Sequence, residues 1–156
     1  MIQEGNHEFF ISSLELQIFK DFLIPDKDIK MHTLRTLINL SNDFTLATSV
    51  ADFSGEIVAF CLKNLQSQFS IIQNLSMELI FLLCYESQFF AQFLHCDGKK
   101  QILSILFNPD LEQLHCQAIK ILTHMWVKDS ASLIDDGSME KVVTTVLKAT
   151  GFLDRT

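Results

Sequence analysis

The chain has 156 residues, of which 48% are apolar, a length typical of one domain with its own core. Five glycines and two prolines are too few for the frequent turns of a β-sandwich or barrel, and the apolar content argues against disorder. The net charge of −7 argues against nucleic acid or a membrane surface as partner, because both attract basic proteins.

The four cysteines, Cys61, Cys84, Cys96 and Cys116, lie inside apolar helical strings rather than at loop spacings. This placement favours reduced core thiols and an intracellular protein, cytoplasmic or nuclear. The first residues lack the basic and apolar regions of a signal peptide. The most apolar stretch, residues 79–85, is far shorter than the roughly 20 residues of a membrane span.

A short apolar string recurs four times, beginning at Ile18, Ile57, Ile102 and Val142, at intervals of 39, 45 and 40 residues. A period in this range is typical of stacked two- or three-helix repeats, which bury their apolar faces only against neighbouring repeats. We therefore predict one helical repeat domain over residues 1–156, either complete or a segment of a longer protein.

Each of the first three strings is followed by a break and then by a longer apolar pattern. The first break contains Pro25-Asp26 and the third contains Pro109-Asp110. Because proline ends a helix and aspartate caps the next one, both pairs predict a helix start. The longer patterns predict helices over about 28–41, 70–86 and 111–127.

Shorter segments precede the later strings and predict one further short helix in each unit, over residues 43–53, 87–96 and 128–136. Glycine marks the break before each string, at Ser54-Gly55, Asp97-Gly98 and Asp136-Gly137. The order within a unit is therefore short helix, middle helix, long helix.

The last long helix carries the clearest apolar stripe, formed by Leu114, Ala118, Ile121, Leu122 and Met125. A similar stripe occurs in the first long helix, at positions that precede these by 85 residues, and in the second, at positions that precede them by 39 residues. Residues 79–85 are apolar on nearly every side, which predicts that the middle long helix is buried between neighbours.

Residues 98–110, continued by 117–124, resemble an armadillo repeat: a glycine, an apolar helix, a polar break with an acidic residue, and an alanine-bearing long helix. Residues 33–41, which contain Asn39, resemble the long helix of that family. The resemblance implies an all-α, right-handed α-solenoid of about three to four three-helix repeats. Two-helix HEAT repeats are the alternative.

Armadillo solenoids bind extended peptides along their long helices, and importin alpha-like members carry tryptophan and asparagine four residues apart there. The resemblance places a groove row at the matching positions: Arg35, Asn39, Phe81, Tyr85, Lys120 and His124. Only Asn39 matches the family residue, which argues against nuclear-import cargo. The basic Arg35 and Lys120 favour an acidic partner segment.

Two His-Cys pairs, His95-Cys96 and His115-Cys116, contain residue types that bind zinc. Adjacent residues of a helix point in different directions, so both members of a pair rarely bind one ion. We therefore predict ordinary helix residues at these positions, with no metal site and no cofactor.

Catalytic alternatives rest on a few residues. Asp135 and Asp136 with Glu140 resemble an acid–base set, but capping of the predicted helix start explains them better. A nucleophile pair of Cys116 with His115 or His124 would need proximity that the sequence does not establish. The sequence contains no phosphate-binding glycine loop and no hydrolase or metalloprotease motif.

Phe89, Phe90 and Phe93 lie outside the main stripes. Packing of the short helix against its own unit is the first interpretation, and an exposed aromatic patch that anchors a partner is the second.

These patterns together favour a non-enzymatic scaffold that binds a peptide segment or a partner protein in a groove of stacked helices. The first alternative is a structural module that caps its own ends by homo-oligomerisation. The second alternative is an all-α metal-binding protein or enzyme.

Overall fold

The computed structural model describes residues 24–129 and 138–149, and these residues form eight α-helices with no strand. The helices are α1 (Lys27–Asn42), α2 (Phe44–Ala51), α3 (Ser54–Asn64), α4 (Ser70–Leu83), α5 (Ser87–His95), α6 (Gly98–Phe107), α7 (Glu112–Lys128) and α8 (Ser138–Ala149). A 3₁₀ turn, Pro109–Leu111, precedes α7. The all-α prediction is confirmed for these residues.

The three predicted long helices are confirmed as α1, α4 and α7, with ends within three residues of those expected. The predicted short helices before the second and third strings are α2 and α5, and the strings themselves lie in α3, α6 and α8. Ile18 and the short segment around residues 130–136 lie outside the described residues.

Helix contacts repeat along the chain. The long helix α4 packs on α1 and α3, and the next long helix, α7, packs in the same way on α4 and α6. The short helix α5 contacts α3 and α6, and α8 contacts α6. Each of α4 and α7 therefore covers the preceding long helix and the middle helix of its own unit.

The predicted stripe of α7 is buried, and its residues are at most 4% exposed: Leu114, Ala118, Ile121, Leu122 and Met125. At the corresponding positions of α1 and α4, Thr33, Leu37, Leu75, Leu79 and Leu83 are also buried. Buried side chains from α1 to α7 belong to one contiguous cluster. Burial of this apolar area supplies the main favourable term in the stability of the helices.

The start of α1 is capped as predicted. Oδ1 of Asp26 accepts hydrogen bonds from the backbone N–H groups of Asp28 at 2.9 Å and Ile29 at 3.0 Å. Two of the free N–H groups at the start of the helix are therefore satisfied.

The predicted cap at Asp110 is wrong. Asn108, two residues earlier, uses its Oδ1 to accept a hydrogen bond from the N–H of Asp110 at 3.0 Å. Pro109 then begins the 3₁₀ turn, and α7 begins at Glu112 without a side-chain cap. Proline favours the first position of a helical turn, so the residue before it takes the capping role.

Asp97-Gly98 separates α5 from α6, as expected. Asp97 has a φ of 60°, the left-handed conformation that asparagine and aspartate tolerate better than most residues. At Gly98 a Cβ atom would overlap Cε2 of Phe93, so the ring packs directly on the glycine backbone. This close approach holds the end of α5 against the start of α6.

Candidate functional site

Three side chains of the predicted groove row meet where the C-terminal end of α4 lies beside α7. The rings of Phe81 and Tyr85, one helical turn apart, lie edge to face with their centroids 5.7 Å apart. The ring of His124 on α7 lies 4.1 Å from that of Tyr85. Tyr85 is 57% exposed, whereas Phe81 and His124 are half-buried, so the cluster presents the Tyr85 ring to solvent.

The end of α4 supplies backbone carbonyl oxygens that bind residues of α7. Nε2 of His124 lies 3.1 Å from the carbonyl oxygen of Cys84, and Nζ of Lys128 donates to that oxygen and to the one of Tyr85, both at 3.0 Å. A carbonyl oxygen only accepts, so Nε2 of His124 carries the proton. Cys84 and Tyr85 directly follow α4, where backbone carbonyls have no intrahelical donor, and the two side chains of α7 supply donors to both.

Lys128 also reaches α5. Its ammonium nitrogen lies 5.0 Å from the centroid of the half-buried Phe90 ring, within the range of a cation–π contact. A cation near the negative end of α4 is favourable for the helix dipole as well. One side chain thus connects α7 with the end of α4 and with α5.

Arg35, Asn39 and Lys120 are exposed, the first two on α1 and the third on α7. Within the described residues, no recorded contact joins these three side chains to the Tyr85 cluster, which consists of Phe81, Tyr85 and His124. The groove row therefore consists of one connected aromatic centre and of exposed polar residues on the flanking long helices.

Packing of the short helix, the first interpretation of its three phenylalanines, holds for Phe89 and Phe93, and the alternative of an exposed aromatic patch is wrong for these two residues. Phe89 and Phe93 are fully buried, and their rings stack with centroids 6.2 Å apart. They lie four residues apart and so share the inner face of α5. Phe90 points away from that face and remains half-buried beneath Lys128.

The His-Cys pairs do not converge. His115 binds the carbonyl oxygen of Asn108 through Nε2 at 2.9 Å, and Sγ of Cys96 accepts a hydrogen bond from Gln92 at 3.3 Å. His95 and Cys116 are exposed. Across residues 24–129 and 138–149 no three His, Cys, Asp or Glu side chains are grouped as a metal site would require.

The catalytic alternatives gain no supporting geometry. Nε2 of His115 and of His124 each lies against a backbone carbonyl, and no hydrogen bond to Cys116 is recorded among the described residues. Asp135 and Asp136 lie outside those residues, and Glu140 is exposed in the first turn of α8. An acidic side chain there favours the helix dipole.

Two thiols are deeply buried. Burial raises the pKa of Cys84 to about 12, and the nearby Lys128 opposes this shift. Burial, with a smaller effect of Cys84, also raises the pKa of Cys61. Neutral thiols of this kind are packing residues rather than nucleophiles.

Sequence reasoning missed Lys128 and the exposed apolar residues near the C-terminal end, Trp126, Val127 and Val143. The sequence does contain a signal for Trp126. It lies four residues after Leu122, and the equivalent positions of the two earlier copies carry serines, Ser41 and Ser87. No comparable signal existed for Lys128, whose partners lie 43 and 44 residues away.

Among the described residues, no helix has both the length and the hydropathy needed to cross a bilayer. Comparison with protein-family models, with curated proteins and with solved structures finds no match for this chain.

Proposed function

We propose that this chain is an armadillo-like α-solenoid that acts as a non-enzymatic scaffold and binds an acidic segment of a partner protein along its groove row. The recurring contacts of the long helices support the repeat arrangement, because α4 packs on α1 as α7 packs on α4. A series of long helices that pack one on the next gives a continuous surface on which an extended segment can lie.

The observation that carries the proposal is the Tyr85 cluster. It joins two successive long helices through ring contacts with centroids 5.7 and 4.1 Å apart, and the Tyr85 residue remains 57% exposed. Tyrosine is among the residues that most often dominate binding energy, since it offers apolar area and a polar hydroxyl at low entropic cost.

Charge favours an acidic partner at this surface although the whole chain is acidic. Arg35 and Lys120 are exposed at equivalent positions on the long helices that flank α4. Exposed cations on these two helices attract the carboxylates of a bound segment and help to set its register.

The test compares proteins captured from a lysate of the source organism by three versions of the chain. The double variant Arg35→Glu/Lys120→Glu reverses both charges, and Lys63→Glu/Lys100→Glu is the control with the same change in net charge, two exposed reversals on α3 and α6. We expect at least one partner that binds the wild type and the control but is lost from the double variant. Equal circular dichroism spectra and melting temperatures must accompany that loss.

A second variant separates the aromatic contribution from the charge. Tyr85→Ala removes the exposed ring but leaves the backbone carbonyl that Lys128 binds. We expect the same partner to be lost, and its dissociation constant, once the partner is purified, to rise by roughly tenfold or more. Retention of every captured protein by both variants would reject the groove row as a binding surface.

A further inference from the structure

An apolar cleft of about 240 Å³ lies between α7 and α8. Its walls include Ile119, Thr123 and Trp126 of α7 and Val142, Val143 and Val146 of α8. Trp126 is 45% exposed and Val143 is 47% exposed. Clustered exposure of large apolar side chains marks an interaction surface more often than an ordinary one.

Two positions of the cleft wall, those of Val143 and Ile119, are buried in the two preceding units. The residues that correspond to Val143 are Val58, fully buried, and Leu103, 7% exposed. Those that correspond to Ile119 are Leu34 and Ile80, both fully buried, whereas Ile119 itself is only half-buried. The α7/α8 cleft therefore continues an interface that is closed elsewhere in the molecule.

What closes the interface elsewhere is a long helix. The pair α1 and α3 is covered by α4, and the pair α4 and α6 is covered by α7. The pair α7 and α8 is the third member of this series. A helix that lies across it as α7 lies across α4 and α6 would bury Val143 and Ile119 as their counterparts are buried.

We propose that the α7/α8 cleft is a docking site for an amphipathic helix of another polypeptide, one whose apolar stripe resembles that of α7. Such a stripe places aliphatic side chains at intervals of three and four residues, which is the usual pattern of a helix bound in a groove. Trp126 lines the cleft where the two earlier units carry the serines Ser41 and Ser87, so the apolar wall is larger in this unit.

A folded second copy is a poorer occupant. In the described residues the long helices already bury their stripes within their own fold, as Leu37, Leu79 and Leu114 show by exposures of at most 2%. Within residues 24–129 and 138–149, a copy therefore has no comparable long helix to offer without unfolding. This surface is separate from the groove row, so the inference stands even if the groove row binds nothing.

The chain contains a single tryptophan, and its position in the cleft wall makes it the reporter for the test. The probe is a synthetic peptide with the sequence of residues 109–129 that carries W126F, so that only the protein contributes tryptophan emission. Burial of the Trp126 ring by the docked peptide should shift the emission of the protein to shorter wavelength, with saturation at or below the order of 100 µM peptide.

Two protein variants and one peptide variant locate the binding. Val143→Glu places a charge in the cleft and should weaken binding at least tenfold, whereas Val127→Glu, at a site 80% exposed and outside the cleft lining, should not change it. The peptide with Ile121→Glu, which interrupts its stripe, should not bind. Equal binding by both protein variants would show that the peptide takes the place of α7 in the fold and does not enter the cleft, which would overturn the proposal.

Two further outcomes also overturn it. One is no emission shift with peptide at any attainable concentration while the protein remains folded. The other is a blue shift that depends on protein concentration without peptide, together with a dimer in sedimentation velocity that Val143→Glu abolishes. That result would assign the cleft to a second copy of the chain.

Discussion

Lys128 donates a hydrogen bond from Nζ to the carbonyl oxygen of Tyr85 at 3.0 Å, and so connects the last residue of α7 to the segment that ends α4. The same ammonium group binds the carbonyl oxygen of Cys84 and lies over the Phe90 ring. Contacts with α7 thus hold in place the backbone that carries the exposed Tyr85 side chain.

We expect Lys128→Met to lower the free energy of unfolding by about 1 kcal/mol, because the carbonyl oxygens lose a charged donor while the apolar stem is kept. The value is modest because Lys128 is exposed and water replaces part of the interaction. Urea unfolding measures the change. Lys120→Met, an exposed lysine of the same helix, should stay within about 0.5 kcal/mol of the wild type. Equal losses in the two variants would contradict a specific role for Lys128.

Two glycines at helix starts should respond in opposite ways to alanine. Gly98→Ala places a methyl group against Cε2 of the fully buried Phe93 ring, so the ring or its helix must shift. We expect a loss of about 1–3 kcal/mol, and more if α5 must shift. At Gly55 the added carbon meets no atom within 4 Å beyond the adjacent residues and the backbone of its own helix, so Gly55→Ala should be neutral or stabilise by up to about 1 kcal/mol. Comparable losses in the two variants, measured by urea unfolding, would contradict the packing described for Phe93.

Helix positions were largely predictable from the sequence, and the reason is visible in α7. Its apolar residues at intervals of three and four predicted a stripe, and Leu114, Ala118 and Met125 are all buried. Phe89 and Phe93 also carried this signal, because residues four apart share a helix face, whereas Phe90 lies on another face. Long-range contacts were not predictable, since no local pattern encodes the distance between Lys128 and Tyr85.

The capping residues show the limit of local patterns. Pro-Asp occurs at the start of both α1 and α7, yet Asp26 caps one helix and Asn108 caps the turn before the other. Asn108 precedes proline in the second case, whereas Ile24 occupies the equivalent position in the first and has no oxygen in its side chain. The choice follows from the residue before the motif.

Three alanine substitutions test this assignment of caps. Asp26→Ala and Asn108→Ala should each lower the free energy of unfolding by about 1 kcal/mol, since each leaves backbone N–H groups without their acceptor. Asp110→Ala should cost less than about 0.5 kcal/mol, because its carboxylate caps no helix and the side chain is exposed. Urea unfolding at pH 7 is the measurement. A loss for Asp110→Ala as large as that for Asn108→Ala would restore the original interpretation of the motif.

The buried thiols predict a dependence of stability on alkaline pH. Burial raises the pKa of Cys84 from 9.0 to about 12, so the folded state keeps the thiol proton that the unfolded chain releases above pH 9. The stabilisation is therefore complete below pH 9 and is lost as the pH rises towards 12. By pH 10 the loss reaches about 1.4 kcal/mol for one such thiol.

A cysteine-to-alanine pair isolates this effect from the other groups that titrate at alkaline pH. Cys84→Ala removes the buried thiol. Between pH 8 and pH 10, the decrease in the free energy of unfolding should therefore be about 1.4 kcal/mol smaller for this variant than for the wild type. Cys116→Ala removes an exposed thiol that contacts water before and after unfolding, and its pH dependence should follow the wild type. Cys84→Ala also leaves a cavity, which lowers the stability of the variant equally at every pH. The comparison uses only the change of stability with pH, so the cavity does not affect it. Parallel curves for all three proteins would mean that the Cys84 thiol is hydrated in the folded chain, contrary to its position under α7.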